Sequence, residues 1–256
     1  MLKEVREGKV SIDEAAKQLR LSSLSDVETA CLDISRELRK DVPEIVFAEN
    51  KRMEDLLKIS QLFFDQAGRV IITRVNDQQA AEVKLVFKGK ADVNHNEKGR
   101  TIVIRKTSEA RSHLIGKVAI ITAGTADVCV AEEAKAILEE MGCGVLTFFD
   151  VGIAGIHRLF PAIRRTIVSD VDAIIVVAGM EGALPSVVCG LVAVPVIGVP
   201  TSSGYGEGGK GEGALVSMLQ SCSPGLVVVN IDNGVGAAVA AALISKRVRN
   251  RESSKR

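Results

Sequence analysis

Hydrophobic and polar positions along the chain follow two different patterns, which meet near residue 115. Before this position, short apolar runs are separated by charged stretches of uneven length. After it, runs of Val, Ile and Ala recur at nearly regular intervals and alternate with helical patterns. Such a change within 256 residues predicts two domains, at 1–115 and 116–247, followed by a basic tail at 248–256.

The pattern of the first half predicts a small α+β domain. Ser11 and Glu14 form a capping-box pattern, which should begin a helix that runs to about Arg20. An amphipathic helix should follow at MEDLLKISQLFFDQAG and end at Gly68, and Asn76 should cap another at DQQAAEVKLVF. The remaining elements are strands at ETACLDI, PEIVFAE and RVIITRV, and a hairpin that turns at Glu97-Lys98-Gly99.

The second half repeats one unit five times, an apolar strand followed by a helix. The five strands are KVAIITAG, GVLTFFDV, AIIVVAG, PVIGVPT and LVVVNID. Nearly continuous apolar strands separated by helices are typical of a parallel sheet that is covered on both faces. We therefore predict an α/β fold with a flavodoxin-like or Rossmann-like three-layer domain. Such sheets bind ligands at the carboxyl ends of their strands.

Composition and charge exclude several classes of partner. The apolar fraction is 46% and the net charge is +1, so no overall attraction to nucleic acid is expected. No apolar run reaches the roughly 18 residues of a membrane span, and the charged start lacks the apolar core of a signal peptide. We expect a cytoplasmic protein with no membrane partner. The basic end KRVRNRESSKR is better explained as a solvated terminus than as a nucleic-acid arm.

Two of the predicted turns after strands suit the binding of phosphate. Gly124, Thr125 and Asp127 open a helix and offer backbone N–H groups and a hydroxyl, although Thr125 or Asp127 could simply cap that helix. The glycine-rich segment GYGEGGKGEG follows strand four and is an equally good candidate for a mobile surface loop. Arg158 and Lys210 are the candidate cations for phosphate groups.

Three other residues in or near turns suit catalysis. Glu181 lies between apolar segments, where partial desolvation would suit it to proton transfer. His157 follows strand two, although a lone His at a helix start is more often structural. Cys222 lies between a helix and a strand, and the five cysteines show neither the pairing of a disulfide framework nor the spacing of a zinc site. The end of the preceding helix would disfavour its thiolate.

The acidic residues give only an unspecific metal signal. Asp127, Asp150, Glu181 and Asp232 could hold Mg²⁺ if their turns converge, but they come from four different turns. Asp127 and Asp232 are the weak candidates for such a site. We expect no tightly bound cofactor, and Mg²⁺ is the one metal that the pattern allows.

The second half resembles the AIR carboxylase (PurE-type) family of purine synthesis. The resemblance rests on AGTAD, AGIHR and AGMEGALP, which match that family's phosphate turn, its His-Arg turn and the turn that carries its catalytic histidine. The family has a flavodoxin-like fold and assembles as an octamer, so the resemblance implies a homo-oligomer. Ala183 stands where the histidine would be, which argues against the purine reaction.

The whole chain is more similar to the LarB family of nickel-pincer cofactor biosynthesis. The similarity rests on DVGIAGIHRL, GMEGALPSVV, GVPTSSGYG and SCSPGLVVVNIDNGVGAA in the second half, and on DISRELRKDVPEIVFAENK and RTIVIRKT in the first. Ala126 departs from the family by replacing an expected Ser, and Val235 by replacing a usual Phe. FAENK also departs from the glycine-rich form expected there.

The LarB resemblance implies a synthase. It would carboxylate the pyridinium ring of nicotinic acid adenine dinucleotide with CO₂ or bicarbonate and hydrolyse the phosphoanhydride, giving pyridinium-3,5-biscarboxylic acid mononucleotide and AMP. Cys222 would be the nucleophile and Glu181 the base. The candidates for binding the dinucleotide are Gly124, Thr125, Asp127, His157, Arg158, Ser202, Gly204, Tyr205, Gly206, Lys210, Asn230 and Asp232.

Two alternatives remain open at this point. A carboxylase or mutase of purine synthesis is disfavoured by Ala183 and by the extra first domain. A nucleotide-sensing module without turnover would explain the glycine-rich turns but not the pair of Cys222 and Glu181. Arg36, Arg39 and Lys51 in the first half are either further substrate contacts or solvated charges.

Overall fold

The computed structural model describes residues 2–15, 25–27, 30–33, 36–107 and 114–253. The contacts within the chain divide it into two compact units. One unit consists of residues 1–95 and 102–109, and the other consists of residues 96–101 and 110–256. Among the described residues, no helix combines the length and the apolar character that a membrane span requires.

The elements of the first half form a two-stranded and a four-stranded sheet with helices. The helices are α1 (Leu2–Arg6), α2 (Arg36–Lys40), α3 (Met53–Ala67) and α4 (Asp77–Phe87), and the strands are β1 (Ser25–Val27), β2 (Ala30–Leu32), β3 (Ile45–Phe47), β4 (Arg69–Thr73), β5 (Asp92–Asn96) and β6 (Thr101–Arg105). β1 and β2 pair antiparallel. The larger sheet has the order β3-β4-β6-β5, with β3 parallel and β6 antiparallel to β4.

Local signals determine where the helices of the first half begin and end. α3 ends at Gly68, which adopts a left-handed φ of 75° that glycine accepts without strain. The side chain of Asn76 accepts from the backbone N–H of Gln79 at 2.8 Å and closes the capping box that begins α4. Ser11 Oγ accepts from the Glu14 N–H at 3.1 Å, as predicted, but the predicted end of that helix lies outside the described residues.

The second unit contains a parallel five-stranded sheet flanked by helices, which confirms the predicted fold class. Its strands are β7 (Gly116–Thr122), β8 (Cys143–Phe148), β9 (Ala173–Ala178), β10 (Val196–Pro200) and β11 (Leu226–Val228), and its helices are α5 (Val128–Glu140), α6 (Leu159–Val168), α7 (Leu184–Cys189), α8 (Glu212–Leu219) and α9 (Gly234–Ser253). The strand order is β11-β10-β9-β7-β8, and every pair is parallel. Numbered along the domain this order is 2-1-3-4-5, the flavodoxin order.

Burial explains why the central strands are continuous apolar runs in the sequence. All six residues of β9 are buried, and so are all five residues of β10. Side chains of neighbouring residues point to opposite faces of a sheet, so a strand covered on both faces must be apolar throughout. The edge strand β11 is shorter than its apolar run predicts, and Val227 on it remains 53% exposed.

Candidate active site

A buried carboxylate, Asp127, links the turns at the carboxyl ends of two strands. Its Oδ2 accepts from the backbone N–H of Gly124 at 2.9 Å. Its Oδ1 accepts from Thr201 Oγ1 at 2.6 Å and from Ser203 Oγ at 2.9 Å. The residue is only 3% exposed, so these hydrogen bonds replace water around a buried charge. Asp127 therefore holds the turn after β7 against the turn after β10.

The turn after β9 joins this cluster by close packing. A Cβ atom on Gly179 would lie 2.5 Å from Ser203 Oγ and 2.9 Å from Thr201 Oγ1. Distances this short are not found for real Cβ atoms, so any side chain at this position would push the two hydroxyl groups away. Glycine at residue 179 therefore allows the hydroxyl groups to reach Asp127.

The turn after β11 joins the same edge through Asp232. Its Oδ1 accepts from the backbone N–H of Ser202 at 2.9 Å, and its own N–H donates to the Pro200 carbonyl at 2.8 Å. Asn230 lies nearby in sequence and is exposed. The structure thus brings together four of the five predicted turns through direct contacts.

The turn after β8 carries the candidate cation Arg158. Its Nη1 donates to the carbonyl of Asp150 at 2.5 Å and to Oδ2 of the same residue at 2.7 Å. The two side chains are 40% and 50% exposed, so water screens the pair. Both hydrogen bonds use Nη1, and the guanidinium can still present other N–H groups to a phosphate. The Asp150 N–H donates to Thr122 Oγ1, which ties this turn to the end of β7.

The other predicted site residues form an exposed rim. Glu181 is exposed, which corrects the expectation that the apolar segments beside its turn would desolvate it. Tyr205 is 79% exposed. The remaining exposed members of the rim are Thr125, His157, Ser202, Gly206, Lys210 and Asn230, while Gly124 and Gly204 are half-buried.

The acidic residues at this edge take part in hydrogen bonds within the protein, and a magnesium site there stays a prediction. Both carboxylate oxygens of Asp127 already accept hydrogen bonds from the protein, and Oδ1 of Asp232 accepts another. Within the part of the chain that the structure describes, no group of three His, Cys, Asp or Glu side chains is placed to hold a metal ion. We therefore derive no chemical step through a metal.

Cys222 is exposed in the connection between α8 and β11, as the sequence predicts. This connection runs from a helix into a strand, so it lies at the amino edge of the sheet. Glu181 follows β9 and lies at the carboxyl edge. The structure therefore does not bring the two predicted catalytic residues together within one copy of the chain.

The remaining cysteines lie within helices or strands. Burial, helped by the Asp172 carboxylate, raises the pKa of the Cys143 thiol to about 11. Burial also raises the pKa of the Cys189 thiol. Cys129 is exposed in the first turn of α5, at the carboxyl edge, and Cys31 belongs to β2. Cys222 is the one cysteine that lies outside the described helices and strands.

Sequence reasoning missed the hydroxyl pair of Thr201 and Ser203. The signal was the run Thr201-Ser202-Ser203, in which three hydroxyl residues follow β10 directly. Of these, only Ser202 was predicted to bind substrate. In the structure, its two neighbours are the residues that donate hydrogen bonds to Asp127.

Two family descriptions match the chain. Residues 24–106 match the LarB/PurE-like N-terminal domain, and residues 117–255 match AIR carboxylase. A Methanocaldococcus jannaschii protein of uncharacterised function is 46% identical over 250 residues, which are 96% of each chain.

Two similar proteins are named as mutases. The N5-carboxyaminoimidazole ribonucleotide mutase of Pyrococcus horikoshii is 33% identical over 130 residues, 48% of this chain and 69% of that one. A probable mutase of the same name from Methanobrevibacter smithii is 32% identical over 133 residues, which are 50% of this chain and 37% of that protein. The similarity to both mutases covers about half of the chain.

These matches confirm the resemblance that the motifs indicated. One family description covers most of the first half, and the other covers the parallel-sheet unit. The Methanocaldococcus jannaschii protein matches both parts of the chain. The chain therefore belongs to the AIR carboxylase family of enzymes, and it joins that domain to a LarB/PurE-like N-terminal domain, as in LarB.

Proposed function

We propose that the protein carboxylates the pyridinium ring of nicotinic acid adenine dinucleotide and hydrolyses its phosphoanhydride. The products would be pyridinium-3,5-biscarboxylic acid mononucleotide and AMP, for nickel-pincer cofactor biosynthesis. The observation that carries the proposal is the placement of Cys222, an exposed thiol in a turn, in a chain that combines the two LarB domains. A thiol is both a good nucleophile and a good leaving group, and this reaction needs both properties.

The carboxylation balances without an oxidant or a reductant. The Cys222 thiolate adds to C4 of the ring, which turns the electron-poor pyridinium into a dihydropyridine with an enamine-like C5. C5 then attacks CO₂ and forms the new carbon–carbon bond. Glu181 accepts the proton from C5, and the ring expels the thiolate from C4 and becomes aromatic again. The net change is the replacement of one C–H proton by a carboxylate.

The exposed rim at the carboxyl edge suits the binding of the dinucleotide. Backbone N–H groups at the start of α5 and the exposed hydroxyl of Thr125 can donate to a phosphate. Arg158 and Lys210 add positive charge at the turns after β8 and β10, and exposed Tyr205 offers an aromatic face to a base. In the second reaction, water attacks one phosphorus atom and the bridging oxygen leaves with the other phosphate.

The proposal is tested by turnover with defined substrates. The purified protein is incubated with nicotinic acid adenine dinucleotide and bicarbonate, and the mixture is analysed by mass spectrometry. We expect AMP and a mononucleotide heavier than nicotinic acid mononucleotide by one CO₂, which carries the label when ¹³C-bicarbonate is used. Tight dinucleotide binding without AMP would overturn the proposal in favour of a nucleotide sensor.

The mutase reaction is a second candidate, since the Pyrococcus relative bears that name. Ala183 argues against it, because this residue immediately precedes α7 and offers only a methyl group where the resemblance places a catalytic histidine. Incubation with N5-carboxyaminoimidazole ribonucleotide separates the two functions. Conversion of that nucleotide, with no reaction of the dinucleotide, would identify the protein as a mutase.

A further inference from the structure

We infer that two serines prepare the Cys222 thiol for attack. The Ser221 hydroxyl donates a hydrogen bond to the Cys222 thiolate, and Ser186 is a positioning residue that acts through Ser221. The inference rests on the proposed function, in which Cys222 is the nucleophile. It goes further by assigning a role to two residues at the amino edge of the sheet.

Cys222 is the central residue of a turn that a serine side chain closes. The backbone N–H of Ser223 donates to Ser221 Oγ at 3.2 Å. A hydrogen bond from a serine oxygen to the backbone N–H two residues later is the defining contact of an ST-turn. The closed turn holds the backbone on both sides of Cys222, whose side chain remains exposed.

Ser186 fixes the hydroxyl that closes this turn. Ser186 Oγ donates to Ser221 Oγ at 2.8 Å, across 35 residues of sequence. Ser186 lies on α7, a helix whose residues Leu184, Pro185, Val188 and Cys189 are buried. The orientation of the Ser221 side chain is therefore set by a helix that is anchored in the core.

Two further contacts tie the turn to the same helix. Ser223 Oγ donates to the Ser186 carbonyl at 2.9 Å, and Cys189 Sγ donates to the Pro224 carbonyl at 3.3 Å. Burial raises the pKa of the Cys189 thiol, so this thiol keeps its proton and remains a donor. Cys222 thus lies between two serines that are both hydrogen-bonded to α7.

The two bonds at Ser221 leave its own proton for another acceptor. A serine hydroxyl has two acceptor lone pairs and one proton that rotates to suit its surroundings. The oxygen of Ser221 is the acceptor in both bonds, so neither of them uses its proton. Accepting two hydrogen bonds also polarises the O–H group and makes it a better donor. Cys222 is the next residue, and its thiolate is an acceptor within the same turn.

The position of Cys222 gives such a donor a purpose. α8 ends at Leu219, three residues before Cys222. The carbonyl end of a helix carries partial negative charge, which disfavours a thiolate beside it. The cationic ring of the substrate favours the thiolate only while it is bound. A hydroxyl donor in the turn favours the thiolate in the free protein as well.

Alkylation of Cys222 tests the role of Ser221 without any enzymatic activity. The proteins are treated with iodoacetamide at pH 7, and mass spectrometry of the peptides follows modification of Cys222. We expect Ser221→Ala to react about tenfold more slowly, because the thiolate is the reactive form and loses its donor. Ser221→Thr keeps the hydroxyl and should react like the wild type. Exposed Cys129 is the internal standard in each sample.

The pH profile of alkylation separates the loss of a donor from a change of shape. The difference between Ser221→Ala and the wild type should shrink at pH 10, where the high pH itself removes the thiol proton. A turn that merely loosened would expose Cys222 further and would speed its alkylation at both pH values. Equal or faster alkylation of Ser221→Ala at pH 7 would overturn the inference.

Turnover tests the positioning role of Ser186. Ser186→Ala and Ser221→Ala should each lower kcat for carboxylation by about tenfold and leave KM for the dinucleotide near the wild-type value, because neither serine binds the dinucleotide. Ser217→Ala is the matched control, since Ser217 lies on α8 before the turn, and it should keep the wild-type kcat. A wild-type kcat for Ser186→Ala would overturn the role of Ser186.

The two tests separate failure of the inference from failure of the proposed function. If the wild-type protein makes no carboxylated product, the proposed function fails, yet alkylation still reports whether Ser221 favours the thiolate. If the product forms but Ser221→Ala is alkylated like the wild type, the function stands and the role of Ser221 is wrong.

Discussion

The two edges of the parallel sheet are built on different principles. At the carboxyl edge, turns after separate strands are joined by hydrogen bonds that converge on one buried carboxylate, Asp127. At the amino edge, the thiols of Cys143 and Cys189 are buried while Cys222 is exposed. The comparison shows that the protein holds its polar cluster together by hydrogen bonds and leaves the Cys222 thiol at a surface.

Removal of the exposed thiol is expected to have the largest effect on activity. Cys222→Ala should reduce carboxylated product by about a thousandfold or more, because alanine offers no nucleophile to form the covalent intermediate. Cys222→Ser should fall similarly, since an alkoxide is a poorer nucleophile and leaving group than a thiolate. Mass spectrometry of the products measures both. Cys129→Ala is the matched control, an exposed thiol at the other edge, and should keep wild-type activity. Loss of activity in that control would transfer the nucleophilic role to Cys129.

Loss of the buried carboxylate at the carboxyl edge should lower the stability of the folded protein. Asp127→Ala removes the acceptor for two hydroxyl groups and one backbone N–H, and should lower the free energy of unfolding by about 2–4 kcal/mol. Asp127→Asn keeps one carbonyl acceptor and should lose less. Urea unfolding followed by circular dichroism measures both variants. Equal stability of Asp127→Ala and the wild type would show that the cluster does not hold the turns together.

A smaller loss of stability should follow from adding one methyl group beside the same cluster. Gly179→Ala places a Cβ 2.5 Å from Ser203 Oγ, and should cost about 1–3 kcal/mol because the hydroxyl must move. Gly190→Ala is the matched control, since its Cβ would meet nothing closer than 3.6 Å and its φ is −72°. Thermal unfolding should show a lower Tm for the first variant and an unchanged or higher Tm for the control. The opposite ranking would contradict the packing around Gly179.

The last expected effect vanishes at neutral pH and concerns the buried thiol of the amino edge. Burial raises the pKa of Cys143 from 9.0 to about 11, so the folded state favours the neutral thiol more than the unfolded state does. This contribution to stability is fully present below pH 9 and is lost as the pH rises through about 11. Cys143→Ala should flatten this part of the pH profile, as measured by urea unfolding at several pH values. An unchanged profile would show that the thiol does not titrate with folding.

Most of the fold could be predicted from local patterns. The central strands β9 and β10 are buried on both faces, so each had to be an apolar run, and the helices between the strands follow from periodicity. The cap at Asn76 and the left-handed end at Gly68 use neighbouring residues only. Such signals lie within a few positions of one another, which is why they can be read directly.

The candidate site was only partly predictable. The rule that ligands bind at strand ends identified turns that the structure places together, but Asp127 meets Thr201 and Ser203 across 74 and 76 residues of sequence, and no local pattern pairs them. The exposure of Glu181 depends on what covers its turn. The position of Cys222 at the amino edge, in contrast, followed from its place after a helix and before a parallel strand, and that inference was available from the sequence.

The sequence by itself determined the secondary structure, the parallel sheet and the set of chemical groups, because hydrophobic period and turn residues act locally. Only the tertiary structure decided which of these groups meet. It buried Asp127 among hydroxyl groups, left Arg158 paired with Asp150, and left Glu181 exposed. The physical reason is that hydrogen bonding and burial depend on distances in space, which the packing of strands and helices determines between residues far apart in the chain.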